Sequence, residues 1–131
     1  MLKIDKYKQY APTILRIGIS LVFLWFGITQ LINPAAYLGY LPSFAQSIPL
    51  TSNTLIYING IAELILGILL LIGLFTRLTA FIIILNLITI IIGLGYNDIA
   101  IRDFGLLLAT LSVLLNGPDE YTLDFKRTYK P

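Results

Sequence analysis

The chain has 131 residues, 57% of them hydrophobic and only 12% charged, with a net charge of +2. So short a chain cannot bury that much apolar surface in one soluble core, which makes it an integral membrane protein and excludes a nucleic-acid binder. It has no Cys and no His; this excludes disulfides, thiol redox pairs, Ser-His-Asp triads and metal sites of the Cys/His type, so any redox-active metal sits in another chain.

A transmembrane helix needs ~20 mostly apolar residues. The first tail, residues 1–11, carries Lys3, Lys6 and Lys8. It looks like the start of a secretory signal, but the apolar run behind it is longer than a typical signal core. It is therefore read as a retained first span, 12–32, with Pro12 tolerated in the opening turn. An uncharged outward loop, 33–52, follows. It holds Pro34, Pro42 and Pro49 with Tyr37, Tyr40 and Phe44 between them. Aromatics on an uncharged segment suit the membrane interface, and one or two short helices are expected there.

The second span is 53–75. The connection at Thr76 and Arg77 is so short that spans two and three should be antiparallel neighbours. The third and fourth spans are 78–95 and 99–116, at ~18 residues each near the lower length limit. The second tail, 117–131, carries Lys126, Arg127 and Lys130. Arg102 alone among the basic residues falls on the outward side, so the positive-inside rule puts both termini in the cytoplasm. The expected fold class is all-α: a transmembrane four-helix bundle, forming a single domain.

Polar and small residues recur at helical spacing within the spans. Span one has Arg16, Ser20, Gly27 and Gln30; span two has Gly60, Glu63 and Gly67. Span three has Thr79, Asn86, Thr89 and Gly93; span four has Arg102, Gly105, Ala109, Ser112 and Asn116. Each set lies on one helical face. In lipid such faces turn inward, giving a polar seam. Glu63 and Asn86 fall near mid-span, and Arg102 roughly 8 Å outward of the centre of its own span. A lone charge at mid-bilayer costs at least ~2.5–3.5 kcal/mol. Arg102 is therefore expected to lean toward Glu63, in competition with Asp98 four residues before it. Gln30 and Asp103 complete the candidate set.

Three uses of this seam are open. It is a structural ion pair with register-fixing amides, or an outward cavity for a polar headgroup such as a quinone ring with Glu63 exchanging a proton, or a face for another subunit. Taken singly, Trp25 reads as packing or lipid contact, Tyr37 and Tyr40 as interface anchors, and Arg77 as a topology signal.

Four stretches carry a family resemblance: Leu15-Arg16-Ile17-Gly18, Gly60-Ile61-Ala62-Glu63-Leu64-Ile65-Leu66-Gly67, Leu71-Ile72-Gly73-Leu74-Phe75-Thr76-Arg77-Leu78-Thr79-Ala80, and Gly117-Pro118-Asp119-Glu120-Tyr121-Thr122-Leu123-Asp124. In this order and spacing the chain resembles the DoxX-like family of small four-helix membrane proteins across nearly its whole length. The resemblance implies a link to redox metabolism, since members are associated with thiosulfate:quinone oxidoreductase, terminal quinol oxidase and membrane complexes handling oxidative stress. The family's glutamate falls on Glu63, and its Arg/Asp pair on Arg102 and Asp103. The departure is in span one, where Phe26 and Gln30 stand in place of a His and a Lys.

What the resemblance implies is a multi-pass protein of a prokaryotic cytoplasmic membrane, subunit of or accessory to a quinone-linked redox system. Its partners would be the lipid bilayer, a membrane redox subunit and further copies of itself, and its cofactor a non-covalent quinone. The polar seam supplies the expected ligand site, Glu63, Asn86, Arg102, Asp103 and Gln30, with no metal. A non-catalytic membrane scaffold is the alternative, and a small oligomeric transporter the third reading.

Overall fold

The computed structural model describes residues 3–129 of the chain; the tail lysine Lys130 lies outside the described residues. Four long helices form the body: α1 (Ala11–Ile32), α2 (Ser52–Ile72), α3 (Thr76–Leu94) and α4 (Asp98–Asn116). A 3-10 turn, Asp5–Tyr10, leads into α1, two more (Pro34–Tyr40 and Ser43–Ser47) fold the loop between α1 and α2, and a short helix, α5 (Leu123–Thr128), lies in the tail. Strands are absent from the described residues.

Local chemistry sets the helix ends. Thr51 caps α2, its hydroxyl accepting from the Thr54 N–H at 3.2 Å, and Asn97 caps α4 through the Ala100 N–H at 2.8 Å. Gly73 ends α2 in the left-handed conformation (φ 73°), and the Leu74 N–H closes back on the Leu69 carbonyl at 2.9 Å. This is the C-cap that glycine permits without a Cβ penalty. Only three residues then separate α2 from α3, so the two run antiparallel.

Among the described residues, three helices are long and apolar enough to cross a membrane: the continuous run Asp5–Ile32, Ser52–Ile72 and Thr76–Leu94. The fourth expected span, α4, is not among them. It has the length, but Asp98, Arg102 and Asp103 crowd its first turns. The surfaces of all four helices carry exposed Ile, Leu and Phe, such as Ile28, Ile65, Leu85 and Leu108. In a membrane, lipid replaces water against those side chains.

The closest helix pair is α1 with α2. A Cβ added at Gly27 would stand 2.7 Å from Leu64 Cγ and 2.9 Å from the Gly60 carbonyl oxygen. These small residues let the two backbones approach, as the stripes on both helices predict. Pairs α1/α2 and α3/α4 close on a core of Ile19, Phe23, Leu66, Leu70, Ala80, Ile83, Leu87 and Val113. The faces foreseen on α1 and α2 are the buried ones, including Arg16, Ser20, Gln30 and Glu63.

On α4 the expected face is wrong. Its buried residues are Ala100, Asp103, Thr110 and Val113, while Arg102, Gly105, Ser112 and Asn116 are exposed. One residue of offset turns a helix by about 100°, so the buried side starts at Asp103 rather than Arg102. Small residues are expected to face inward, yet α4 packs through Leu106, Leu107 and Val113. Thr89 on α3 is likewise exposed, while Gly93 receives Pro42 of the loop, whose Cβ lies 2.3 Å from where a glycine Cβ would be.

The tail clasps the end of the bundle that carries both termini. Asp124 accepts from the N–H groups of Phe75 (2.9 Å) and Thr76 (2.7 Å) and from the Thr76 hydroxyl (2.8 Å). A carboxylate thus caps α3 from far along the chain and complements the positive end of its dipole. Phe75 takes a left-handed φ of 51° within that turn. Thr122 packs so close to Gly73 that a Cβ there would lie 2.3 Å away.

Candidate functional site

Glu63 is 5% exposed in the middle of α2. One carboxylate oxygen accepts from Gln30 Nε2 at 2.6 Å, the other from Asn59 Nδ2 at 3.1 Å and Asn86 Nδ2 at 3.3 Å. Asn59 also donates to Gln30 Oε1 at 2.9 Å, closing a ring of three side chains. Every one of these partners is a neutral amide. Asn59 was missed from the sequence, although it lies four residues before Glu63 on the same helix face, the spacing at which helical side chains meet.

The expected Glu63–Arg102 pair does not form. Arg102 donates through Nε (3.2 Å) and Nη2 (3.1 Å) to its neighbour Asp103, and its guanidinium lies over the Phe26 ring, 5.4 Å from the centroid. The Asp98 pairing is not made either: among the described residues the ion pairs are Lys8–Asp5, Arg16–Asp119 and Arg102–Asp103. The rotation of α4 explains both outcomes. It points Asp103 inward and leaves Arg102 half exposed at the rim, while the amides already fill the Glu63 oxygens.

All five candidate residues nevertheless line one cavity of about 220 Å³. Gln30, Glu63, Asn59 and Asn86 form its polar lining, and Arg102 and Asp103 add a charged pair. The aromatic lining is Phe23, Phe26, Tyr37, Tyr40 and Phe44. The loop builds that part: Tyr37 hydrogen-bonds the Thr29 hydroxyl, meets Phe26 edge-on at 6.3 Å and packs on Tyr40 at 5.4 Å. Tyr37 and Tyr40, read from sequence as interface anchors, therefore fold over the cavity. Trp25, 66% exposed, faces outward as expected.

A second buried carboxylate sits at the opposite end. Asp119 accepts from Arg16 Nε at 2.7 Å, from the Thr13 hydroxyl at 2.9 Å and from the Tyr121 N–H at 3.0 Å. Arg16 also donates to the carbonyls of Leu70 and Leu71. Burial pushes the Asp119 carboxyl upward, but these hydrogen bonds outweigh it and hold the group below the usual carboxylate range. Arg16, expected in the seam, is thus tied to the second tail, where Asp119 was not among the candidate residues.

The family model described as DoxX matches residues 11–95, well over half of the chain. The chain belongs to the DoxX family. No curated protein and no solved structure matches it. Three of the four DoxX-like stretches fall inside the matched residues, and Gly117–Asp124 falls outside them. The structure gives the DoxX-like stretches local roles. The one around Glu63 supplies the carboxylate and the glycines that admit α1, and the one from Leu71 to Ala80 makes the turn that Asp124 caps.

Chemically, the cavity offers a carboxylate fixed by amides, a guanidinium with donor capacity at the rim, phenols in the loop and aromatic faces. That combination suits a flat polar ring with an apolar body.

Proposed function

We propose that this DoxX-family membrane protein binds a quinone-type headgroup as a subunit of, or accessory to, a quinone-linked redox system. The observation that carries the reading is the convergence of Gln30, Glu63, Asn86, Arg102 and Asp103 on one aromatic-lined cavity. Its size of about 220 Å³ lies below the ~300–1,000 Å³ of drug-sized pockets. It has room for a ring, with any tail left outside.

The residues fit the group. Arg102 and the phenol of Tyr40 are donors for ring carbonyls, and Phe23, Phe26 and Phe44 supply faces for packing. Glu63 is the group that holds or passes a proton, its carboxylate oriented by three amides. A bound quinone supplies the electron-carrying ring. A partner chain supplies the electrons, because this chain has neither Cys nor His.

The same reading has α4 cross the membrane with the other three. Its 19 residues span about 28 Å at 1.5 Å each, close to the ~30 Å hydrocarbon thickness, and its charges gather at one end. The basic bias then sets both termini on the cytoplasmic side of a prokaryotic membrane, with the cavity toward the outside.

A photoreactive quinone analogue, followed by peptide mapping, tests the proposal. Saturable labelling of segments that line the cavity, competed by unlabelled quinone, is expected. Labelling that does not saturate, or that maps to the opposite end of the bundle, overturns it. A purely structural seam draws on the three amides that hold Glu63. It predicts that Glu63→Gln lowers Tm while the activity of the folded protein is unchanged.

A further inference from the structure

The end of the molecule that carries both termini holds a second concavity, remote from Glu63. It is an open groove of about 510 Å³ lined by Tyr7, Tyr10, Thr13, Ile14 and Tyr121. Tyr10 stands between the other two rings, 6.4 Å from Tyr7 and 6.1 Å from Tyr121. The Lys6 ammonium lies over the Tyr7 ring, 4.7 Å from its centroid. Lys3 is exposed on the same segment, and Lys8 pairs with Asp5.

The charge of this end is positive. Lys3, Lys6, Lys8, Arg16, Arg77, Lys126 and Arg127 face Asp5, Asp119, Glu120 and Asp124, seven against four among the described residues. Of those anions, Asp119 is held by Arg16 and Asp124 by backbone N–H groups. Beyond the groove the exposed face of α1 turns apolar. Ile14 is 69% exposed, and Leu21 and Trp25 continue the face. Between them Gly18 leaves open space, since a Cβ there would meet no atom within 4 Å.

From the tip of this end inward along α1 the order is therefore ammonium groups, phenols, then an apolar trough. A phospholipid in the adjacent leaflet has the same order: phosphate, ester region, acyl chain. Tyrosines favour the ester depth, and lysines just outside the hydrocarbon attract anionic headgroups. We propose that this groove binds an anionic phospholipid, with Lys3 and Lys6 on the phosphate, Tyr7, Tyr10 and Tyr121 along the ester region, and an acyl chain over Gly18. The inference is independent of the quinone reading, because it uses none of the cavity residues.

The test is thermal stability of the full chain in a neutral detergent. It is titrated with phosphatidylglycerol, with phosphatidylcholine of the same acyl chains, and with glycerol 3-phosphate. Phosphatidylglycerol alone should raise Tm saturably. Lys3→Gln with Lys6→Gln should raise its half-saturating concentration roughly tenfold or more, while Lys126→Gln with Arg127→Gln at the same end shifts it by less than about twofold. Gly18→Leu, which fills the trough, should weaken the effect with the lysines intact. Equal shifts from both lipids, equal losses in the two double variants, or a full effect from glycerol 3-phosphate would each overturn the site.

Discussion

Glu63 and Asp119 are both buried carboxylates, yet their surroundings differ in kind. Asp119 is met by a buried arginine at 2.7 Å, a threonine hydroxyl and a backbone N–H. Arg16 spends its remaining donors on helix carbonyls. Charge and hydrogen bonds are matched, and the result ties α1, α2 and the tail together. Glu63 is met by three neutral amides and borders a cavity. The nearby guanidinium is engaged by Asp103 instead. A carboxylate matched by a cation serves the fold. One oriented by amides beside an aromatic cavity has no cation fixed to it, and the proposed ligand role draws on that difference.

The largest effect should come from breaking the matched site. Arg16→Met leaves Asp119 buried without its cation and should cost about 3–5 kcal/mol, read as a fall in Tm in detergent. Gly73→Ala attacks the same clasp through the backbone. It sets a Cβ at φ 73° and 2.3 Å from Thr122, and should cost about 1–3 kcal/mol. Glu63→Gln keeps volume but turns one acceptor oxygen into an NH2 group that faces an amide donor. It should cost about 1–3 kcal/mol, less than Arg16→Met, and a fall in Tm as large as that of Arg16→Met would erase the contrast between the two carboxylates. Gly105→Ala, on the exposed face of α4 where a Cβ meets nothing within 4 Å, should leave stability unchanged or raise it by up to about 1 kcal/mol. A marked loss there would restore the inward-facing stripe.

Acid sharpens the comparison further. The Asp119 carboxyl is held below its ordinary range, so its contribution is complete above the unfolded-chain value of about 4 and fades as pH falls through the folded value. Thermal stability should thus decline below about pH 4 in the wild type. Asp119→Asn should start lower and decline less over the same interval.

The positions of the four long helices were legible because apolar length and helical spacing are properties of single segments. So was the buried face of α1 and α2, where Gly27, Gly60 and Gly67 mark a close contact. The rotation of α4 was not. Gly105, Ala109 and Ser112 are small enough to face either way, and only the packing of Leu106, Leu107 and Val113 decides it. The candidate site was legible as a set, since Gln30, Glu63, Asn86, Arg102 and Asp103 share one cavity. Its internal partners were not. Asn59 belonged to an unremarked position on a recognised face, and the Arg102–Asp103 pair follows from the rotation. The Arg16–Asp119 pair joins residues at opposite ends of the chain, which no local pattern reveals.

The most direct test of the central claim is a binding isotherm for a short-tailed quinone analogue on purified protein, wild type against Glu63→Gln. The account predicts saturable binding to the wild type and a loss of roughly tenfold or more in affinity for Glu63→Gln, with a fall in Tm smaller than that of Arg16→Met. No saturable binding to the wild type, or equal affinity for both proteins, would contradict it.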